Sequence, residues 1–261
     1  MAIMGTVYLS APAGRRPGYA YGPFVFLIFS FIFAAGGGGR AAAQQSAVKF
    51  DTSDGCRIEA FYSAPAKGAY TFINVHGLGS DKNEWAAFQA ALKSKGYGWL
   101  SLDLRGHGGS LACGGKKADY RAFTRADWAN ASRDIEAGAA WLKKKKAGKL
   151  IFCGASVGAN LALKAASESA ARPAAVILLS PGLEYAGIRA EDYLPKAPRR
   201  LLLAAAEDDG YAWQSAAALS LAAGRKGLSA AAIDGGRGHG ADMLKVPATV
   251  AKILDWVSRL P

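Results

Sequence analysis

The sequence has 261 residues, of which 51% are hydrophobic, so it is long and apolar enough for one large domain with a sizeable core. Three cysteines are too few for a disulfide-scaffold protein, and they show no metal-ligand spacing. The formal net charge is +12, but the densest run, WLKKKKAGK, ends a predicted helix, where lysines complement the helix dipole and are solvated. With no nucleic-acid motif and no internal repeat, we expect no nucleic-acid partner.

The first 43 residues differ from the rest of the chain. They contain no acidic residue, two arginines near the start, an apolar run over residues 24–35 and an Ala-rich end. This order predicts a signal peptide over residues 1–43, cleaved after Ala43, and a single domain over residues 44–261 of an exported protein, periplasmic or secreted. The alternative is a membrane anchor formed by residues 24–35, although this run is shorter than the roughly 20 residues of a spanning helix. After cleavage we expect no stable membrane span.

Beyond this leader, short apolar segments alternate with longer amphipathic ones, which predicts strands alternating with helices in a mostly parallel sheet covered on both faces. The first strand alternates apolar and polar residues, whereas the later strands are continuous apolar runs, as buried parallel strands are. The predicted strands cover residues 56–64, 69–75, 98–103, 149–154, 174–180, 199–206 and 228–234. The predicted helices cover residues 84–94, 125–146, 157–169, 212–225 and 247–259. Such sheets bind ligands at the carboxyl ends of their strands, so we expect the chemistry in the loops there.

One of these loops carries a G-x-S-x-G motif in the stretch IFCGASVGAN, with Ser156 between Gly154 and Gly158. A nucleophile on a sharp turn between strand and helix has a strained backbone, and glycines on either side relieve the crowding. The N-terminus of the helix also directs free N–H groups towards a developing oxyanion. The alternative is a serine hydroxyl in an ordinary turn, since the motif alone is loose, and the rest of the chain decides between the two.

A serine hydroxyl is a weak nucleophile without a base, and the chain has three histidines. His239 is best placed, in the Gly-rich stretch GGRGHGADML after the last predicted strand. Between Ser156 and His239, a strand ends at three acids, Glu207, Asp208 and Asp209, one of which would accept the Nδ1–H of the histidine. The order serine, acid, histidine is that of the α/β-hydrolases.

In these motifs the chain resembles the serine α/β-hydrolases, from about Val48 to Pro261. NVHGLGS at 74–80 is similar to the family's loop after its third strand, LDLRGHGGS at 102–110 to the loop after its fourth, and GASVGA to its nucleophile elbow. The resemblance implies the α/β-hydrolase fold, in which a mostly parallel central sheet has helices on both faces. It covers almost the whole of the predicted mature chain.

The resemblance also implies the roles of particular residues. The family's spacing after its seventh strand favours Asp209 over Asp208 as the acid that orients His239. The oxyanion-hole donors would be the backbone N–H groups of Leu78 and Val157. In the family's loops, histidines such as His76 and His107 are structural or line the site, so neither is the expected base.

From these residues we predict a serine hydrolase that cleaves a carboxylic ester or related acyl bond of a small molecule, as carboxylesterases and lysophospholipases do. No metal and no organic cofactor is expected. A peptidase or amidase, or a thioesterase, is the alternative on the same fold, and a non-catalytic binding protein is the alternative of a different class. The elbow lacks the double glycine of prolyl-peptidase-like members, and Ser156 stands where dienelactone hydrolases have cysteine.

The stretch from Pro181 to Pro198 is the only room for an insertion between the predicted strand that ends at Ser180 and the one that starts at Arg199. About eighteen residues can form a short helix but not a lid domain, so we expect an open site. Four aromatic residues are candidates to line it, although packing at the sheet edge is the simpler role: Tyr185, Tyr193, Tyr211 and Trp213.

The three cysteines divide into two kinds. Cys153 lies in an apolar strand pattern and is expected to be a small buried residue. Cys56 and Cys113 remain as a candidate disulfide of an exported protein.

Overall fold

The structure, a computed structural model, describes residues 45–261. The signal peptide predicted over residues 1–43 and the alternative anchor over residues 24–35 lie outside the described residues. None of the helices within residues 45–261 is long and apolar enough to cross a membrane.

Within residues 45–261, eight strands form one sheet, and four shorter strands form two hairpins beside it. In chain order the strands are β1 Ser46–Asp51, β2 Arg57–Ser63, β3 Thr71–Val75, β4 Gly98–Leu102, β5 Ala112–Cys113, β6 Lys116–Lys117, β7 Leu150–Ala155, β8 Ala175–Leu179, β9 Glu184–Tyr185, β10 Ile188–Arg189, β11 Arg200–Ala205 and β12 Ser229–Asp234. The sheet order is β1-β2-β4-β3-β7-β8-β11-β12. Strand β2 pairs antiparallel with both β1 and β4. The neighbours β4, β3, β7, β8, β11 and β12 pair parallel, as the continuous apolar runs predict.

In the described part of the chain, six α-helices cover the sheet: α1 Ala86–Ser94, α2 Arg125–Asn130, α3 Ser132–Lys144, α4 Val157–Glu168, α5 Gly210–Arg225 and α6 Pro247–Ser258. Side chains of α2 to α5 pack on one face of the sheet, and those of α1 and α6 pack on the other. The sequence predicted a single helix over residues 125–146, but the structure divides it between Asn130 and Ser132. Thr124 caps α2 through a capping box with Asp127.

The edge strand β1 was not predicted from the sequence. Its alternate residues Val48 and Phe50 are half-buried against the core, and the ring of Phe50 stacks on Trp141 of α3 with centroids 6.1 Å apart. Only one face of this strand is covered, and its exposed positions carry Lys49 and Asp51, so its apolar pattern is weak. By contrast, every residue of β3, β4 and β8 is buried.

Cys56 and Cys113 form a disulfide, which links the start of β2 to the β5–β6 hairpin. Cys153 is a free thiol buried in β7, where loss of solvation raises its pKa. The pairing that the sequence suggested is therefore present, and the third cysteine has the expected buried place.

Candidate active site

Ser156 lies at a sharp turn between β7, which ends at Ala155, and α4, which begins at Val157. Its φ of 56° and ψ of −125° fall in a region that non-glycine residues rarely adopt. Backbone strain of this kind is worth about 1–3 kcal/mol and is retained where the surrounding structure enforces it. The sequence therefore correctly predicted an elbow at Ser156.

The glycines of the motif are required by close approach of the backbone. A β-carbon at Gly154 would collide with the carbonyl of Gly158, and one at Gly158 would collide with the carbonyls of Val75 and His76. A β-carbon added at Gly77, in the neighbouring loop, would lie 3.4 Å from Cβ of Ser156. These contacts bring the loop after β3 directly against the serine.

The predicted acid and base meet in the structure. Asp209 lies in the turn after β11, and its Oδ2 is 2.7 Å from Nδ1 of His239, which lies in the loop after β12. The side chain of Asp209 is 16% exposed and that of His239 is 47% exposed, so the carboxylate is sheltered and the ring reaches solvent. A carboxylate only accepts, so Nδ1 carries the proton and Nε2 is free to accept one.

Asp208 has a different partner. Both of its carboxylate oxygens accept the N–H of Gly238, at 3.0 and 3.2 Å. The carboxylate of Asp208 thereby bonds the chain next to His239. Glu207 differs from both aspartates, since its exposed carboxylate has no hydrogen-bond partner among residues 45–261.

Ser156 and His239 line the same open cavity, which has a volume of about 530 Å³. No direct hydrogen bond joins the two side chains in the described part of the chain. The cavity also takes in Gly77, Leu78 and Glu84 from the loop after β3. Most of the residues that the sequence singled out therefore lie at this cavity, at the carboxyl ends of the parallel strands.

The proposed oxyanion donors lie on either side of Ser156. Val157 is the first residue of α4, where a backbone N–H has no partner within the helix. Leu78 is exposed and borders the cavity. The N–H of Gly77 is instead bound by Oε1 of Glu84 at 3.1 Å, which fixes the loop just before Leu78. Burial raises the pKa of this Glu84 carboxyl.

The other two histidines are structural. His76 is fully buried: its Nδ1–H donates to the carbonyl of Gly77, and its Nε2 accepts the N–H of Leu104. His107 is buried too, and its ring stacks on Tyr120 with centroids 4.0 Å apart. Neither ring is near enough to solvent to act as the base, in agreement with the sequence analysis.

Tyr185 was considered only as a possible lining residue, and the structure places it close to Ser156 and Asp209. Burial, with the nearby carboxylate of Asp209, raises the pKa of Tyr185 to about 12, so the phenol stays protonated. Its hairpin, β9–β10, is attached to α4 by the buried amide of Asn160, which bonds the backbone of Gly182 and Ile188 at 2.9–3.2 Å. The position of Asn160, one helical turn after the nucleophile, is the only sequence signal that indicates this contact.

Among residues 45–261 no group of three or more His, Cys, Asp or Glu side chains is arranged to hold a metal ion. Two charged residues that line the cavity, Lys245 and Asp242, are paired with each other at 2.6 Å.

The fold and this site define an α/β-hydrolase. The esterase Pf2001 of Pyrococcus furiosus superposes with a TM-score of 0.70, at 16% identity over 83% of this chain and 90% of that one. Est1E of Butyrivibrio proteoclasticus, solved with ferulic acid bound, gives 0.64 at 20% identity over 81% and 100%. A thermostable carboxyl esterase of Bacillus coagulans gives 0.65 at 12% identity over 83% and 98%.

Residues 67–207 match the family model described as serine aminopeptidase, S33. The match spans more than half of the sequence, so the chain belongs to this family of α/β-hydrolases. No protein of curated function matches the sequence.

Proposed function

We propose that the protein is a serine hydrolase that cleaves a carboxylic ester through a triad of Ser156, His239 and Asp209. The observation that carries this proposal is the 2.7 Å contact between His239 and Asp209, made by a ring that shares one cavity with the strained serine. A hydroxyl and an imidazole from separate loops have no structural reason to meet at one open cavity, with a carboxylate from a third loop bonded to the far side of the imidazole. Their convergence is what acyl transfer requires.

In this mechanism Ser156 Oγ attacks the acyl carbonyl carbon while its proton passes to Nε2 of His239. Asp209 accepts the Nδ1–H, which fixes the tautomer and stabilises the imidazolium. The N–H groups of Leu78 and Val157 bind the oxyanion, and its collapse expels the alcohol, which takes the proton from His239. Water then attacks the acyl-enzyme by the same route and releases the acid and free Ser156.

Replacement of either reacting residue tests the proposal. Ser156→Ala and His239→Ala should each lower turnover of an activated ester by several orders of magnitude while the protein stays folded, because the nucleophile or its base is lost. A fluorophosphonate probe should label the wild-type protein and not Ser156→Ala. Normal turnover in either variant would refute the triad, and an unlabelled, inactive wild type would favour a non-catalytic binding protein.

The second candidate is a peptidase or amidase, and the description of the matched family favours it. A panel of p-nitrophenyl esters, acyl-CoA thioesters and aminopeptidase substrates separates the reaction types. Methyl ferulate belongs in the panel because ferulic acid is bound in Est1E and because two tyrosine rings, Tyr185 and Tyr211, meet edge to face beside the serine. We expect the highest kcat/KM with one of the esters.

We also propose that the protein is exported after cleavage of residues 1–43. The order of basic, apolar and Ala-rich segments supports this, and the Cys56–Cys113 disulfide is typical of an oxidising compartment. N-terminal sequencing of exported protein should give a start near Gln44. An intact leader on membrane-bound protein would support the anchor instead.

A further inference from the structure

The loop that carries His239 is rich in glycine. Four glycines lie within it, and three of them have positive φ: Gly236 at 80°, Gly238 at 87° and Gly240 at 59°. Glycine backbones are conformationally free, and the ring of His239 is 47% exposed, so chain stiffness does little to fix the ring. Within the loop, the carbonyl of His239 accepts the N–H of Asp242 at 3.1 Å. The hydrogen bond to Asp209 holds one ring atom and leaves the backbone to be positioned by other contacts.

Two side chains from other loops accept hydrogen bonds from the backbone N–H groups on either side of His239. Before it, the N–H of Gly238 is bound by both oxygens of Asp208 at 3.0 and 3.2 Å. After it, the N–H of Gly240 donates to Oγ of Ser180 at 2.8 Å. The two bonded amides flank His239 directly.

Ser180 combines full burial with a backbone conformation that is unusual for serine. It follows β8, is fully buried and has a φ of 47°, a conformation that favours glycine. Its own N–H is bound by the carbonyl of Ala204, which fixes the residue to β11. A β-carbon in left-handed backbone is unfavourable relative to glycine, and this residue supplies a hydroxyl that reaches Gly240.

We propose that Asp208 and Ser180 are positioning residues that hold His239 in line with Ser156. This inference rests on the proposed function, since it assigns the two side chains to the placement of the catalytic base. Asp208 is adjacent to Asp209, so one turn holds both the ring of His239 and the backbone before it. Gly240 in turn lies against the elbow, where an added β-carbon would be 3.3 Å from Cβ of Ala155. A base displaced by about 1 Å loses on the order of 100-fold in rate, which makes such contacts kinetically important.

The experiment compares Asp208→Ala and Ser180→Ala with two matched controls. Glu207→Ala removes an exposed neighbouring carboxylate that has no partner among residues 45–261, and Ser215→Ala removes a buried hydroxyl that likewise has none there. Each positioning variant should lower kcat about tenfold with KM for a small ester changed by less than about twofold, because neither side chain is placed to touch substrate. The controls should keep wild-type kcat. Asp208→Asn retains one acceptor oxygen and should restore most of the rate.

A second comparison separates positioning from general support of the fold. In a His239→Ala background, Asp208→Ala should leave the residual rate unchanged, because the group through which it acts is absent. Should Ser180→Ala fail to fold, Ser180→Gly suits the positive φ and still removes the hydroxyl.

The possible outcomes distinguish the two proposals. Wild-type turnover in His239→Ala alone would overturn the triad. A dead His239→Ala protein combined with wild-type kcat in folded Asp208→Ala and Ser180→Gly would overturn the positioning role and leave the triad intact. A further loss on adding Asp208→Ala to His239→Ala would also overturn it.

Discussion

At the scale of single residues, the two neighbouring aspartates after β11 have separate partners. Asp209 bonds the ring of His239, and Asp208 bonds the backbone N–H of Gly238. Adjacent side chains in a tight turn diverge, so only one of the two can face the imidazole. The chemistry of both groups is the same, and their place in the turn alone distinguishes their roles.

This difference predicts unequal effects of one substitution. Asp209→Asn should preserve the fold but favour the wrong tautomer of His239, with a loss of about 10⁴-fold in kcat, as for the equivalent change in a serine protease. Asp208→Asn should cost less than about tenfold, because an amide oxygen can still accept from Gly238. Both variants are assayed with one activated ester. A severe loss in Asp208→Asn beside near-normal turnover in Asp209→Asn would show that the acid is Asp208.

Single residues of the candidate site can be proposed from the sequence where a residue type and a loop position are enough. Ser156, His239 and the acidic turn follow from the motif, the chain order and the small number of histidines. Ser180 and Tyr185 could not be found in this way, because a serine after a strand and a tyrosine in a connecting loop are common. Their contacts with Gly240 and Ser156 depend on how distant segments fold together.

At the scale of elements, His76 joins the loops that follow two adjacent strands, β3 and β4. Its Nδ1–H donates to Gly77, its Nε2 accepts from Leu104, and its ring meets that of His107 edge to face. Both ring nitrogens are occupied in the neutral form. Burial lowers the pKa of His76 to about 4, although the carboxylates of Asp103 and Asp81 favour the proton.

Acid should therefore destabilise the protein through His76. In the unfolded chain this histidine titrates near 6.5, so below that pH the unfolded state binds more protons and stability falls until about pH 4. We expect the free energy of unfolding to drop by on the order of 2 kcal/mol between pH 7 and pH 5 from this group. Urea denaturation at both pH values measures it.

The matched control is the exposed histidine. His76→Gln should flatten the pH dependence, whereas His239→Gln should keep it. Equal pH dependence in wild type and His76→Gln would contradict the assignment to His76.

Elements were predictable from sequence in proportion to their burial. The strands β3, β4, β7, β8 and β11 are continuous apolar runs, and each was predicted to within a few residues. The edge strand β1, with one covered face, was not. The two-residue strands of the β9–β10 hairpin are too short to carry any period, and their geometry is set by the amide of Asn160.

At the scale of the whole molecule, the disulfide joins segments that are far apart in the chain. Cys56 and Cys113 are 57 residues apart, and β3, α1 and β4 lie within the loop that they close. A loop of this length restricts the unfolded chain by about 4 kcal/mol in the chain-entropy treatment, and measured values are usually between 2 and 4.

We therefore expect Cys113→Ser to lower the free energy of unfolding by about 2–4 kcal/mol in urea denaturation. Reductant should lower the stability of wild type to a similar extent and leave Cys113→Ser unaffected, because Cys153 is already a free thiol. If reductant did not change the free energy of unfolding of the wild-type protein, the disulfide would not form in solution.

The connection over residues 181–198 has a consequence for how the protein meets its substrate. It is held at one end by the three bonds of Asn160, and the hydroxyl of Tyr211 bonds both N–H and C=O of Glu184 at 3.2 and 3.1 Å. Lipases with a mobile cover are switched on when an oil–water interface displaces that cover. Because residues 181–198 are held by these hydrogen bonds, they do not form a cover that an oil–water interface could displace. Interfacial activation should then be absent, and the rate with a short-chain ester should follow its dissolved concentration and level off once droplets form.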